Sequence, residues 1–350
     1  MEFSIQLSAD YPDKSYGGDR VYRDMVDQAV LADALGFDAV SLTEHHLVNC
    51  LMNPAPLQLA VKIATLTEQI RIMTSVVVLP LHDMRVFAGE LIMADILTDG
   101  RLLLGVGRGA FPYEMERLGV PMAETRERFD ESLDVLQALL TEEEVAWDGD
   151  YYSFEPLTVM PRPVGAGPQL MMAVMNPAGI EACTRRGFHI QTTPLSGDND
   201  MLERQVGAFH SARSDMGAEG EHLTLSLSRV AFLADNERDR RARLEAAHSY
   251  YGRFDNIYTG PGLVDHGMIR PLPREQSIDE LDESLLICTP AEMVDKLAPY
   301  AELGIDRVIL NVNFGVGQQQ TMDTISCFAE EVMPHFSKPE TPAPIDRIDA

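Results

Sequence analysis

Short apolar runs alternate with longer amphipathic segments along most of the chain. Each run is rich in Val, Ile and Leu, which is typical of a strand buried on both faces of a parallel sheet. The segments between the runs repeat apolar residues at helical spacing. The predicted strands are 3–7, 37–44, 70–79, 102–105, 168–174, 188–192, 222–234 and 306–312. Eight strand and helix pairs with no second hydrophobic pattern favour one (β/α)8 barrel, a TIM barrel with insertions, over a doubly wound sheet.

The helices are predicted from the same periodicity and from their capping residues. Their predicted ranges are 20–35, 57–67, 85–97, 124–140, 177–186, 201–213, 237–250, 290–303 and 321–332. Three segments depart from the pattern. Residues 143–155 are predicted to form a hairpin outside the main sheet, residues 251–285 a lid, and residues 336–350 a flexible tail, which leaves 1–335 as a single domain.

Composition excludes several classes of function. Lys and Arg number 28 against 55 Asp and Glu, and the resulting net charge of -27 repels nucleic acid and anionic membranes. The four cysteines form no CxxC motif, so free thiols in a reducing compartment are expected. No signal peptide and no membrane-spanning run is present, so the sequence predicts a soluble cytoplasmic protein.

The strand that ends at Glu44, His45 and His46 carries the first candidate chemistry. Parallel barrels place their active sites at the carboxyl ends of the strands. Adjacent strand residues point to opposite faces, so the two histidines do not bind one metal ion together. The histidine that faces the barrel mouth is expected to exchange protons, with Glu44 as the carboxylate that fixes its tautomer. For each histidine alone, a purely structural role remains the alternative.

A second candidate follows the strand 102–105. Gly105, Gly107 and Ala110 fit the dinucleotide fingerprint GxGxxA, but that motif needs a helix that starts inside it, and helical periodicity begins only near Glu124. The fingerprint is therefore rejected. A glycine-flexed loop remains, from which Arg108 can reach a phosphate and grip it with two hydrogen bonds. A structural ion pair of Arg108 is the alternative interpretation.

A third candidate is the start of the helix at Pro177. Its first turn presents backbone N–H groups at Ala178 and Gly179, with Asn176 as the N-cap, and helix N-termini bind phosphates. A well-capped helix with no ligand fits the sequence equally well.

Four stretches together resemble one family. GFDAVSLTEHHL, TSVVVLPLHDMR, GRLLLGVGRGAFPYEMERLGV and TPAEMVDKLAPYAELGIDRVILNV occur in this order, and the resemblance to the bacterial luciferase-like, flavin-dependent monooxygenases extends to about residue 335. It implies a (β/α)8 barrel, reduced FMN supplied by a separate flavin reductase, and dioxygen as co-substrate. It also implies a homodimer.

The resemblance assigns roles to individual residues. His45 matches the catalytic histidine beside the flavin ring, and Arg108 matches the arginine that holds the FMN phosphate. Ser75 and Val76 match a strand that supports the ring, where the family can carry a non-prolyl cis peptide. Residues 174–179 match the second phosphate-binding segment, although Asn176 and backbone N–H groups stand there in place of the acidic and hydroxyl residues of luciferase. No metal ion is implied.

The chemistry implied by the resemblance is oxidation of a small apolar organic substrate, such as an aldehyde or ketone, through a C4a-peroxyflavin. Phe111, Tyr113 and Met115 are the expected substrate-facing residues, and with the lid they would exclude water. Gly107 stands where luciferase has a reactive cysteine, which argues against light emission. The alternatives are an oxidoreductase dependent on coenzyme F420 or NAD(P), and a non-catalytic flavin-binding subunit. The presence of both His45 and Arg108 argues against the last.

Overall fold

The structure is a computed structural model that describes residues 1–11, 13–197 and 199–336. The tail predicted for 336–350 therefore lies outside the described residues from position 337 onward. Within the described ranges, no helix is both long and apolar enough to cross a lipid bilayer.

Eight parallel strands close into a barrel, so the predicted (β/α)8 fold is confirmed. The order around the barrel is β1, β2, β3, β5, β8, β9, β10 and β14, and β14 pairs with β1 to close the ring. The strands of the described chain are β1 (Glu2–Gln6), β2 (Ala39–Leu42), β3 (Arg71–Thr74), β4 (Val77–Val78), β5 (Leu102–Gly107), β6 (Val145–Asp148), β7 (Ser153–Leu157), β8 (Gln169–Ala173), β9 (His189–Thr192), β10 (Leu225–Leu233), β11 (Val264–Asp265), β12 (Met268–Ile269), β13 (Leu286–Cys288) and β14 (Arg307–Asn311).

Helices surround the barrel and cover the outward side chains of its strands. The α-helices of the described chain are α1 (Gly18–Ala34), α2 (Pro56–Ala64), α3 (Met84–Leu97), α4 (Pro112–Arg117), α5 (Thr125–Thr141), α6 (Pro177–Arg185), α7 (Asn199–Asp215), α8 (Glu237–Tyr258), α9 (Ile278–Ser284), α10 (Pro290–Glu302) and α11 (Gln318–Cys327). The main core lies between the two layers and includes Val40, Ile72 and Leu104 from the strands. A smaller cluster of Met73 and three other apolar residues lies apart from this core.

Two predicted elements are interrupted in the structure. The run 70–79 is not one strand, because the Ser75–Val76 peptide bond is cis and separates β3 from β4. The loop after β5 is not free of helix either, since α4 begins at Pro112, well before the predicted start near Glu124. One reason for rejecting the dinucleotide fingerprint was therefore wrong, but the closed barrel excludes the doubly wound fold on its own.

The segment 251–285 is more ordered than a lid loop. The prediction that the helix after Glu237 ends at Tyr250 is wrong, because α8 continues to Tyr258. A hairpin of β11 and β12 follows, and then α9. Side chains of this segment form a second apolar cluster with residues from the carboxyl end of the barrel, including Phe111, Phe232 and Phe314. In the segment 143–155, where the sequence predicts a hairpin, β6 and β7 pair antiparallel.

Gly105 allows β3, β5 and β9 to approach one another closely. The Thr74 hydroxyl donates to the Gly105 carbonyl at 2.7 Å, and the Gln191 amide donates to the Thr74 carbonyl at 3.1 Å. A Cβ atom on Gly105 would lie 2.1 Å from that Thr74 carbonyl oxygen. Any side chain at this position would therefore collide with backbone that cannot move away.

Gly105→Ala is expected to lower the free energy of unfolding by about 3 kcal/mol or more, because the added methyl group forces the strands apart. Urea denaturation measures the change. The matched control is Gly207→Ala on the exposed face of α7, where nothing lies within 4 Å of the added Cβ. There the helix should gain up to about 1 kcal/mol. Equal effects of the two substitutions would contradict the close approach of the strands at Gly105.

Candidate active site

His45 follows β2 at the carboxyl end of the barrel and bonds to a carboxylate from another loop. Its Nδ1 lies 2.9 Å from Oε2 of Glu114, and its ring stacks on Phe111 with centroids 4.2 Å apart. A carboxylate accepts hydrogen bonds, so Nδ1 carries the proton in the neutral ring and Nε2 remains an acceptor. The side chain of His45 is 15% exposed, which leaves it accessible at its edge.

Glu114 comes from the first turn of α4 and is buried. Its Oε1 accepts the backbone N–H of His46 at 2.7 Å, so one carboxylate holds both a side chain and the backbone at the end of β2. Sequence reasoning missed Glu114. The available signal was Pro112, a favoured first residue of a helix, followed by an acidic residue in the first turn.

Glu44 does not contact His45 in the structure, so the expected pairing of these two residues is wrong. Oε1 of Glu44 accepts from Nε2 of both His46 and His82, each at 2.9 Å, and Oε2 accepts the backbone N–H of Val78 at 2.7 Å. The two adjacent histidines thus serve different carboxylates, as strand alternation requires. Glu44 binds the end of β2 to the segment that follows β3.

The environment of Glu44 keeps it ionised. Burial alone would raise the pKa of this carboxyl, but the hydrogen bonds from His46 and His82 outweigh burial and lower the pKa to about 2. The same hydrogen bond raises the pKa of His46 above its usual value. Glu44 is therefore a buried anion in a closed set of bonds, which favours a positioning role over proton transfer.

Arg108 leaves β5 at its carboxyl end with an exposed side chain. No hydrogen bond or ion pair of its guanidinium occurs within the described ranges, so the alternative of a structural ion pair has no observed acid partner. Gly109 follows with a φ of 86°, and a Cβ there would lie 2.6 Å from the Met115 sulfur. This turn leads directly into α4, so Arg108, Phe111 and Glu114 belong to one short segment.

Ser75 and Val76 lie between the ends of β2 and β5 in the barrel order. Their peptide bond is cis, a form that the family resemblance allows at this position. The Ser75 hydroxyl is buried and has no hydrogen-bond partner in the structure, which is unusual for a buried polar atom. Val76 packs against Gly107, where a Cβ would lie 2.8 Å from the valine methyl group.

The 174–179 segment has the geometry of a capped helix start. The Asn176 side chain accepts the Gly179 N–H at 3.1 Å, which uses both the amide oxygen and one of the candidate donors. Ala178 is exposed, and its N–H has no acceptor in the part of the chain that the structure describes. One backbone donor of the expected set is therefore free for an anion.

Two of the three expected substrate-facing side chains are occupied by protein contacts. Phe111 is 1% exposed and lies between His45 and Phe254 of α8. Met115 is also 1% exposed and packs with Val78 beneath the turn after β5. Tyr113 is partly exposed, and the Arg117 guanidinium stacks on its ring at 3.6 Å.

Comparisons with known proteins agree with this site. The model of the luciferase-like monooxygenase family matches residues 1–307. The flavin-dependent trigonelline monooxygenase, oxygenase component, of Acinetobacter baylyi is 26% identical over 97% of this chain and 96% of its own. The F420-dependent glucose-6-phosphate dehydrogenase of Intrasporangium calvum is 25% identical over 89% and 94%. The structure of monooxygenase RslO1 from Streptomyces bottropensis superimposes with a TM-score of 0.84 at 25% identity, covering 96% of this chain and 100% of that one.

A parallel barrel with a histidine and an arginine at its strand ends is the architecture of a barrel oxidoreductase. The chain belongs to the luciferase-like monooxygenase family, and the protein is an enzyme of the monooxygenase class. The alternative of a non-catalytic subunit is thereby set aside.

Glu44→Gln should reveal the low pKa of Glu44 as a stability difference. The folded pKa of about 2 lies below the ordinary value of 4.5, so the stabilisation is present above about pH 4.5 and is lost as the pH falls toward 2. The shift corresponds to about 3 kcal/mol at neutral pH. Urea denaturation should show this difference between wild type and variant at pH 7 and a smaller difference at pH 3.

The control is Glu68→Gln, an exposed carboxylate, which should change the free energy of unfolding by less than about 0.5 kcal/mol. A Glu44→Gln difference that is the same at pH 7 and pH 3 would show that Glu44 does not have a depressed pKa.

Proposed function

We propose that this enzyme is the oxygenase component of a two-component system that uses reduced FMN and dioxygen to oxidise a small apolar organic substrate such as an aldehyde or ketone. The observation that carries the proposal is the segment 108–114. It presents a free guanidinium at Arg108 and, six residues later, the carboxylate that orients His45. A phosphate-binding group and a proton-exchanging group are thus held by one turn of the chain.

The residues at the strand ends fit a flavin mononucleotide. Its phosphate requires a cation and N–H donors, and Arg108 and the Ala178 N–H are exposed donors with no partner among the described residues. Its ring requires polar atoms nearby, and the unpartnered Ser75 hydroxyl at the cis peptide is such an atom. Arg108, Ala178, Gly179, Asn176, Ser75 and Val76 are therefore proposed to hold FMN.

The residues around His45 would perform the protein's part of the reaction. Reduced FMN, when bound, supplies the electrons that activate dioxygen for oxygenation of the substrate. Nε2 of His45 accepts or returns a proton there, because Glu114 fixes the other proton on Nδ1. Phe111 stacks on the ring and Phe254 closes over Phe111, so the side of the imidazole that they cover is shielded from water.

The proposed partner in electron supply is a flavin reductase that acts transiently. The relative from Acinetobacter baylyi is named as an oxygenase component, which supports a separate reductase for this enzyme as well. Coenzyme F420 is the competing cofactor, because another relative of similar identity is F420-dependent. It also contains a phosphate, so Arg108 alone does not distinguish the two.

We also propose that two copies of the chain associate through the outer face of α3. Val86, Met93 and Leu97 are 60%, 52% and 49% exposed and recur along one side of this helix. Met160, 73% exposed, lies beside them next to Gly89. An uncharged stripe of this kind on a helix invites a second identical helix, and a homodimer is what the family resemblance implies.

The cofactor proposal is tested by anaerobic titration with reduced FMN and reduced F420, followed by exposure to oxygen. Reduced FMN should bind more tightly, and oxygen should be consumed by the complex. Arg108→Ala should raise the dissociation constant for reduced FMN about 10- to 100-fold, because a charge-assisted hydrogen bond contributes about 1.5–3 kcal/mol. Tight binding of reduced F420 with no reaction toward oxygen would contradict the proposal.

Two controls make the assignment specific to the phosphate. Reduced riboflavin lacks the phosphate, so Arg108→Ala should leave its affinity unchanged. Arg126→Ala removes another exposed arginine, on α5, and should leave FMN binding unchanged. Equal losses for riboflavin and FMN would show that Arg108 does not bind the phosphate.

The dimer proposal is tested by light scattering during gel filtration. The wild type should have twice the chain mass of 38.8 kDa, and Met93→Glu should shift it toward the monomer because a charge would be buried at the interface. Leu118→Glu, at an exposed apolar residue off this face, should remain dimeric. A monomeric wild type at micromolar concentration would refute the proposal.

A further inference from the structure

A cavity of about 210 Å³ lies at the carboxyl ends of β1 and β14, beside the first half of α1. We call it the α1 cavity. It is lined by residues 8–28 of the β1–α1 region and by residues 313–318, which precede and begin α11. Neither His45 nor Arg108 lines it, so the α1 cavity is separate from the site assigned to FMN.

Three buried oxygen atoms of the cavity lining have no hydrogen-bond partner. They are the Ser8 hydroxyl, Oδ1 of Asp10 and Oε1 of Gln28, on residues that are 1%, 8% and 0% exposed. Buried polar atoms are nearly always paired, and each unpaired one costs about 1–3 kcal/mol. Three in one cavity indicate that a bound group satisfies them.

The other polar atoms of these side chains are already engaged, which fixes the direction of the free oxygens. Oδ2 of Asp10 accepts from the Arg253 guanidinium at 2.6 Å. The Gln28 amide nitrogen donates to Oε1 of Gln318 at 2.7 Å. Rotating either group would break a short bond in order to satisfy the free oxygen. The cavity is therefore built to accept hydrogen bonds.

The charge around the cavity favours a cation. Asp10, Asp13 and Asp24 contribute carboxylates to the lining, and no Lys, Arg or His side chain lines it in the described chain. Burial raises the pKa of Asp10 to about 6 even with Arg253 alongside, so a second positive group at Oδ1 would relieve a real desolvation cost. The described residues contain no cluster of His, Cys, Asp or Glu that could hold a metal ion.

We infer that the α1 cavity binds a small organic ammonium ion. A primary ammonium has three N–H donors, which is the number of unpartnered oxygens, and its charge suits the acidic lining. Val21, Met25 and Val316 provide an apolar surface for a short alkyl group. The inference does not depend on the proposed cofactor or on the monooxygenase reaction.

Isothermal titration calorimetry with n-propylammonium chloride tests the inference on the intact protein. The ion should bind with one site per chain. Tetramethylammonium, which has the charge but no donors, and 1-propanol, which has the alkyl group but no charge, should each bind at least tenfold more weakly. Potassium chloride at the same concentration should not displace n-propylammonium. Absence of n-propylammonium binding, or equal binding of 1-propanol, would overturn the inference.

Two variants locate the site. Gln28→Met keeps the side-chain volume and removes the acceptor, and Ser8→Ala removes the hydroxyl; each should weaken n-propylammonium about tenfold or more, because a hydrogen bond to a charged group contributes about 1.5–3 kcal/mol. Gln58→Met on the exposed face of α2 is the matched control and should bind as the wild type does. Circular dichroism checks that each variant is folded. Unchanged binding in a folded Gln28→Met or Ser8→Ala variant would overturn the assignment to the α1 cavity.

Discussion

The carboxylate of Glu114 is the interaction on which the candidate site depends. One of its oxygens bonds the His45 ring and the other bonds the backbone of His46, so α4 is fastened to the end of β2 across the intervening strand β3. The turn that delivers Glu114 begins with Arg108. Orientation of the imidazole and placement of the guanidinium are therefore consequences of the same short segment, and a change in one is expected to disturb the other.

Two neighbouring histidines illustrate how a strand separates function from support. His45 and His46 differ by one position, and strand alternation sends them to different carboxylates. Glu114 holds the ring that is proposed to exchange protons, whereas Glu44 collects His46, His82 and the backbone of Val78. Glu44 thereby supports the end of β2 and the strand segment after the cis peptide from behind the site.

The sequence predicted the barrel well because buried parallel strands are continuous apolar runs that stand out against amphipathic helices. It could not predict the break at Ser75, since a cis peptide leaves no mark on hydrophobic periodicity. The end of α8 was missed for a different reason. Arg253 and Asn256 lie on its buried face and are satisfied by Asp10 and by backbone carbonyls, so polar residues interrupt the apolar pattern there.

Placing the candidate site at the strand ends followed from fold rules, but its internal pairing did not. Glu44 was adjacent in sequence to His45 and was expected to be its partner, whereas the actual partner lies 69 residues away on a helix of six residues. A helix of that length contains too few residues for periodicity to reveal it. Long-range side-chain pairs of this kind require the folded geometry.

Nitrogen NMR of the imidazole rings tests the pairing of His45 with Glu114 most directly. The resonances of His45, assigned with a His45→Asn variant, should show Nδ1 protonated and Nε2 unprotonated in the neutral ring, and Glu114→Ala should abolish this preference. A His45 ring that carries its proton on Nε2 in the wild type, or that is unaffected by Glu114→Ala, would contradict the role of Glu114 in orienting the imidazole.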